Sequence, residues 1–227
     1  MANAYPPGGT YWDNGKRSFT SVPMNLSKDS AISTTEFLEA SEALTGLLDV
    51  LGSTAFMPVK KDIIGNIKVQ RIPEDGSNAC VDEPCVMLQK IRDRQLEAPV
   101  ESETLQDLVR SELKTKKHTA SEGLLWLTRG LDFIARALRR NLTLQPNEEL
   151  SVSFRDSYGQ TLKQYHSFII KPIFSAAMSA CPYRKDFYAK LGEDEAKVKK
   201  ELDEWLAALE ERVTVLNTFM AKPEAKW

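Results

Sequence analysis

The sequence predicts an all-α, single-domain protein, and three observations carry that prediction. Two capping boxes each open a run of apolar residues at three- and four-residue spacing. Two long stretches near the C-terminus keep the same helical period, and nowhere does apolar and polar character alternate long enough for a strand. With 227 residues, 42% of them hydrophobic and 27% charged, the chain can bury a sizeable core within one domain.

Residues 1–30 are rich in Gly, Pro, Ser and Asn and show little periodicity, so they read as an irregular arm with Trp12 and Phe19 packed on the surface. Ser33-Thr-Thr-Glu36 is a capping box, followed by Phe37, Ala40, Leu44, Leu47, Leu48 and Leu51 on one helical face, with Gly52 as the stop. A second helix is expected from Ala55 to Lys68. Between Val69 and Gln89 the pattern is interrupted by Pro73, Asp75-Gly76, Asn78 and Pro84, and helical character resumes at Lys90. Another helix should run from Ser102 to Lys116. Thr119-Ala-Ser-Glu122 is the second capping box, opening a long amphipathic helix through Leu124, Leu127, Leu131, Ile134 and Leu138. One more helix is expected from Leu150 to Ala180, kinked at Pro172, and a last one from Glu193 to Ala221, with a short turn near Asp186 to Leu191 between them. No internal repeat is present.

Composition narrows the function. A net charge of -2 gives no global attraction to nucleic acid, and the basic runs Lys114–Lys117 and Arg136–Arg140 read as solvated helix faces. No stretch reaches the roughly 20 apolar residues of a spanning helix, and the N-terminus lacks a basic region followed by an apolar run, so a cytoplasmic protein is expected. Three cysteines, Cys80, Cys85 and Cys181, read as reduced thiols; Cys80 and Cys85 could share a metal, but no His stands near them. Phosphate-binding glycine loops, the metalloprotease helix motif and the Gly-x-Ser-x-Gly elbow are missing, and His118 and His166 are the only histidines. Binding without catalysis, metal or cofactor is therefore expected.

A small polar set among apolar helices could do that binding. Asp62 and Asn66, four residues apart, point within about 40° of each other on a helix and could address one ligand's hydroxyls or amide, or could be an ordinary solvated face. Trp126, in Leu125-Trp-Leu-Thr-Arg-Gly130, offers a broad apolar plate for the C–H face of a hexose, or core packing. His166, in Tyr165-His-Ser-Phe168, could donate to a ligand carbonyl or to a backbone carbonyl of the core.

Phe37-Leu-Glu-Ala40, Leu51-Gly-Ser53, Asp62 with Gly65-Asn66, Trp126-Leu-Thr-Arg-Gly-Leu131, Tyr165-His166 and Ala180-Cys-Pro-Tyr183 together resemble the glycolipid transfer proteins. The similarity runs from about residue 31 to the C-terminus and has most in common with the fungal heterokaryon-incompatibility branch, through Cys181-Pro-Tyr-Arg-Lys-Asp-Phe187 and Ala225-Lys-Trp227. The resemblance implies a two-layer sandwich of about eight helices, with an apolar slot for two hydrocarbon chains beneath a polar surface site. By position, Asp62 would bind the ceramide amide N–H and a sugar hydroxyl, Asn66 further hydroxyls, Trp126 the sugar face and His166 the ceramide carbonyl. Relatives that carry phosphate-headed ceramides have Arg where this chain has Trp126, which points to sugar.

The family pattern breaks between Val69 and Gln89. Joining Lys68 directly to Lys90 restores Gly65-Asn-Ile-Lys-Lys-Ile-Arg92 and puts Lys90 three positions after Asn66, where the family has its sugar-binding Lys. The 69–89 segment reads either as a surface excursion or as a short in-frame intron that has been translated. The implied function is intermembrane transfer of mono- or di-hexosylceramides by a carrier that touches membranes transiently as a monomer, with Phe168, Tyr183 and Tyr188 entering the interface beside Lys171 and Arg184. The rival reading is a glycolipid sensor or incompatibility interaction protein using the same site; a hydrolase is a distant third.

Overall fold

The apolar runs fold as helices in the computed structural model, which describes residues 5–52, 56, 57, 59, 60, 87–145 and 147–227. Eight α-helices stand among the described residues: α1 (Thr34–Val50), α2 (Met87–Glu97), α3 (Leu105–Lys114), α4 (Thr119–Arg139), α5 (Leu150–Gln160), α6 (Ile170–Ser179), α7 (Arg184–Leu191) and α8 (Glu195–Ala221). The only strands among these residues are the two-residue β1 (Met24–Asn25) and β2 (Ala31–Ile32), paired antiparallel. Most of the helix expected from Ala55 to Lys68 lies outside the described residues.

Helix α4 is the hub. Its expected stripe, Leu124, Leu127, Leu131, Ile134 and Leu138, is wholly buried, and α2, α3, α5 and α8 all pack on it. A stripe of that width on one helix needs partners on several sides, so the fold closes around it. On its outer side Arg139 forks onto Glu210 of α8 at 2.8 and 2.9 Å, while Arg136 and Arg140 pair with Asp132 and with Glu148 and Asp156. The arginines of this basic run thus serve as internal ion pairs.

Neither capping box works as its residues suggest. The Ser33 hydroxyl donates to the Glu36 carboxylate instead of accepting from the backbone. Thr119 is already the first residue of α4, and the cap comes from the previous helix. Lys116, at φ 61°, turns the chain, and the buried Glu112 carboxylate accepts from the N–H groups of Ala120 (2.8 Å) and Ser121 (2.7 Å) and from the Ser121 hydroxyl (2.6 Å). An anion at the positive end of a helix satisfies N–H groups that have no partner within it.

The helix expected over Leu150–Ala180 is instead two. At the end of α5 the Thr161 hydroxyl donates to the Ser157 carbonyl (2.7 Å) and the backbone leaves the helical region at φ -116°, ψ -84°. A 3-10 turn over Leu162–Gln164 follows, and α6 begins at Ile170. Pro172 therefore sits in the first turn of α6, where its missing N–H costs nothing, and does not kink a longer helix. The segment expected as a turn near Asp186 is α7, which buries Phe187, Tyr188 and Leu191. Helix α2 already includes Met87 and Leu88, both buried, so helical structure resumes before Lys90.

In the N-terminal arm 3-10 turns span Tyr11–Asp13 and Phe19–Ser21, and Phe19 is not a surface residue. It is fully buried, edge-on to Phe37 of α1 at 5.9 Å and to Trp205 of α8 at 5.6 Å. Arg212 of α8 donates to the Val22 carbonyl at 2.9 Å and ties the arm down.

Candidate functional site

Trp126 follows the buried Leu124 by two positions on α4, which turns its side chain to the rim of the stripe, and it is half-buried. The break between α5 and α6 lays Tyr165 and His166 against it. Tyr165 meets the indole edge-on at 6.1 Å, and the His166 ring lies nearly parallel to it, 6.2 Å between centroids and 20° between planes. Arg129, one turn along α4, holds its guanidinium 3.7 Å from the Tyr165 ring centre and 4.8 Å from that of Trp126. Such placement over aromatic faces is attractive in itself. No described carboxylate pairs with Arg129.

From this rim a file of rings runs inward. His166 is 4.5 Å from Phe174, Phe174 stacks on Tyr158 at 5.4 Å, Tyr158 meets Phe133 at 6.3 Å, and Phe133 meets Phe154 at 5.5 Å. Polarity therefore ends within one residue of the surface cluster. His166 sits at the boundary, its Nδ1 3.1 Å from the Tyr158 hydroxyl. Burial, helped by the nearby Lys171 charge, lowers its pKa to about 4, so the imidazole is neutral at pH 7. A neutral ring offers one donor and one acceptor.

Lys90 reaches the same neighbourhood from α2. Gly123, one turn before Trp126, lets α2 approach: a Cβ there would lie 3.2 Å from the Met87 carbonyl oxygen and 3.4 Å from Lys90 Cβ. The lysine stem thus runs against α4 beside the turn that carries Trp126, and no described carboxylate pairs with its ammonium. On the other side, Arg129 and Tyr165 line an open cleft of about 360 Å³ with Asp132, Gln160, Gln164 and Asn217; the carboxylate accepts, the guanidinium donates and the amides do both.

Of the expected site residues, Trp126 and His166 are brought together, and Lys90 packs against Gly123, one turn before Trp126. Asp62 and Asn66 lie outside the described residues, as do Cys80 and Cys85. Among the described residues no cluster of potential metal ligands occurs, and no helix is long and apolar enough to cross a membrane. Three contributors were not singled out from sequence: Arg129, Tyr165 as a clamp, and Tyr158. Only Arg129 carried a local signal, its i+3 spacing from Trp126.

Some of the exposed apolar residues follow His166 in the chain. Phe168 is 82% exposed and Ile169 55%, at the end of the α5–α6 break, and Tyr183 is 73% exposed before α7. Tyr188, expected at the same interface, is instead buried; its hydroxyl donates to Asn141 Oδ1 at 3.3 Å and Arg184 covers its ring. Its position on the inward face of α7, unseen while that segment read as a turn, accounts for the difference.

Comparison with known proteins agrees with this architecture. The family model described as glycolipid transfer protein matches residues 32–78 and 86–193. A glycolipid transfer protein of Aureobasidium melanogenum is 62% identical over 224 residues, covering 99% of each chain. A zebrafish (Danio rerio) pleckstrin homology domain-containing family A member 8 is 33% identical over 85% of this chain, which spans 33% of that longer protein. Among solved structures, HET-C2, a fungal glycolipid transfer protein, superposes with a TM-score of 0.83 at 54% identity, over 96% of this chain and all of that one. The glycolipid-transfer fold of FAPP2 gives 0.75 at 25% identity, over 96% of this chain and 98% of that one.

Proposed function

Because this chain belongs to the glycolipid transfer protein family, we propose that it carries single glycosphingolipids, mono- or di-hexosylceramides, between membranes. It would act in the cytoplasm as a monomer that touches bilayers only transiently. The observation that carries the reading is the ring file from Trp126 through His166 to Phe133. It sets a half-exposed aromatic plate, flanked by cations and amides, directly over an interior lined with rings.

Each part of that file suits one part of the lipid. The Trp126 indole stacks on the C–H face of the first hexose, with Arg129 and Tyr165 holding the plate in place. Lys90, with Asp62 and Asn66, binds hydroxyls, and the cleft beside Tyr165 has the donors and acceptors for a second hexose. His166 donates to the N-acyl carbonyl, and the two chains pass between the helix layers. Two chains of ~30 carbons, at about 0.8 kcal/mol per buried methylene, cost on the order of 20 kcal/mol to expose, so escape through water is slow. An apolar interior that replaces most of that burial makes transfer nearly isoenergetic without an energy source. Phe168, Ile169 and Tyr183, beside Lys171, supply the bilayer contact.

An intervesicular assay with glucosyl-, galactosyl- and phospho-ceramide tests this. Both sugar lipids should move, and the phospho-lipid at least about tenfold more slowly, since Trp126 cannot supply the charge-assisted bonds an anion loses on leaving water. Equal rates for all three would refute the head-group assignment. Tight glycolipid binding with negligible exchange would favour the sensor.

A further inference from the structure

We propose that Tyr158 is a positioning residue for the lipid site: its hydroxyl donates to His166 Nδ1 and so fixes the ring proton on Nε2, the nitrogen left to meet the lipid. The inference rests on the reading of His166 as a ligand contact.

Tyr158, on α5, is buried with its ring stacked on Phe174 and edge-on to Phe133. Its hydroxyl has one hydrogen-bond partner among the described residues, His166 Nδ1 at 3.1 Å. Burial raises the pKa of the phenol and lowers that of the imidazole, so two neutral groups share this contact. Only two arrangements are then open. If Nδ1 bore the proton, it would donate to the phenol oxygen, and the phenol hydrogen would have no acceptor among the described residues. If the phenol hydrogen points at the Nδ1 lone pair, the contact is closed and the one ring proton sits on Nε2. Each arrangement leaves one donor without a described partner, on the buried Tyr158 in the first and on the half-buried His166 in the second, and the donor that water or a lipid can reach costs less, so the second is favoured.

The fixed tautomer has a chemical consequence. A ring locked as Nε2–H presents a donor and no acceptor to the lipid, so its partner must be an acceptor such as the N-acyl carbonyl. A ring free to change tautomer could satisfy a hydroxyl or an N–H as well and would discriminate less. Tyr158 would thus act on lipid choice from within the core, without touching the head group.

Ring ¹⁵N chemical shifts of the full-length protein at pH 7 read the tautomer directly, and His118→Gln assigns the two histidines. The wild-type protein should show His166 with Nε2 protonated. Tyr158→Phe should give a tautomer mixture and slow glucosylceramide transfer by about three- to tenfold, with helical content unchanged; in a His166→Gln background the same change should add nothing. A protonated Nδ1 in the wild type overturns the proposal, as does a Tyr158→Phe protein that keeps a pure Nε2–H ring and full transfer. If Tyr158→Phe fails to fold, the wild-type spectrum still decides. Full transfer by His166→Gln alongside an Nε2–H ring would instead overturn the lipid contact itself, and with it that part of the proposed function.

Discussion

Replacing Phe19 by Ala should destabilise the protein by about 3–4 kcal/mol while leaving transfer intact in the cold. The ring is fully buried and lies edge-on to both Phe37 and Trp205, so its loss removes two aromatic contacts and the apolar burial together. Buried Phe→Ala changes cost roughly 3–5 kcal/mol, and the irregular arm can relax into the space more easily than a helix can, which favours the lower half. For a chain of this size each kcal/mol moves Tm by about 2–4 °C, so a fall of about 6–16 °C is expected. Urea unfolding followed by circular dichroism gives the free energy, and an unchanged slope would show that the variant unfolds from a similarly compact state. Since Phe19 touches none of the rings around Trp126, glucosylceramide transfer at a temperature where the variant is folded should match the wild type. A loss below about 1 kcal/mol would mean that the arm is not part of the core.

Trp126→Ala and Asp62→Val should each abolish most glycolipid transfer with native helical content, and wild-type rates from either purified variant would contradict the head-group assignment. His166 has its pKa lowered to about 4 from an unfolded value near 6.5. The unfolded chain therefore binds the extra proton first, and the stability from the neutral ring is complete above pH 6.5 and declines as pH falls toward 4. The urea midpoint should fall between pH 7 and 5 in the wild type and fall less in His166→Gln; parallel profiles would refute the assignment. For residues 69–89, the mature transcript separates a genuine excursion from a translated intron: a major message that lacks those codons supports the intron, and one that keeps them refutes it and leaves Lys68 and Lys90 to be tested separately as sugar ligands.

The helices that could be read in advance were those whose own residues specify them. The α4 stripe is a local pattern, and burial follows from it. Its starting point was misread at Thr119 because the capping group, Glu112, belongs to the previous helix, and no local rule counts a carboxylate seven residues upstream. The break after Gln160 is hidden for another reason: apolar residues continue through Leu162 and Phe174 in helical spacing, and the bond from the Thr161 hydroxyl to the Ser157 carbonyl is the same one that Thr128 and Thr214 make inside unbroken helices, so no residue type marks the stop. The site shows the same division. Trp126 and His166 were visible as residue types, each with a bland alternative, whereas their meeting depends on how the break folds back. Tyr158 carried no signal at all, since a tyrosine on a buried face looks like any other core ring until His166 is set against it.

That break also joins two parts of the molecule more tightly than their chemistry suggests. Ser167 alone separates His166, inside the ring cluster, from Phe168, exposed to solvent, and two residues of chain span at most about 7 Å. Any surface that engages Phe168 therefore pulls or pushes on a segment with almost no slack, at one end of which stands the imidazole held by Tyr158. Mechanically the segment is a short lever. Its outer arm lies in whatever medium surrounds the protein and its inner arm among the rings at the edge of the core, so a load on one is felt by the other within a single turn of chain.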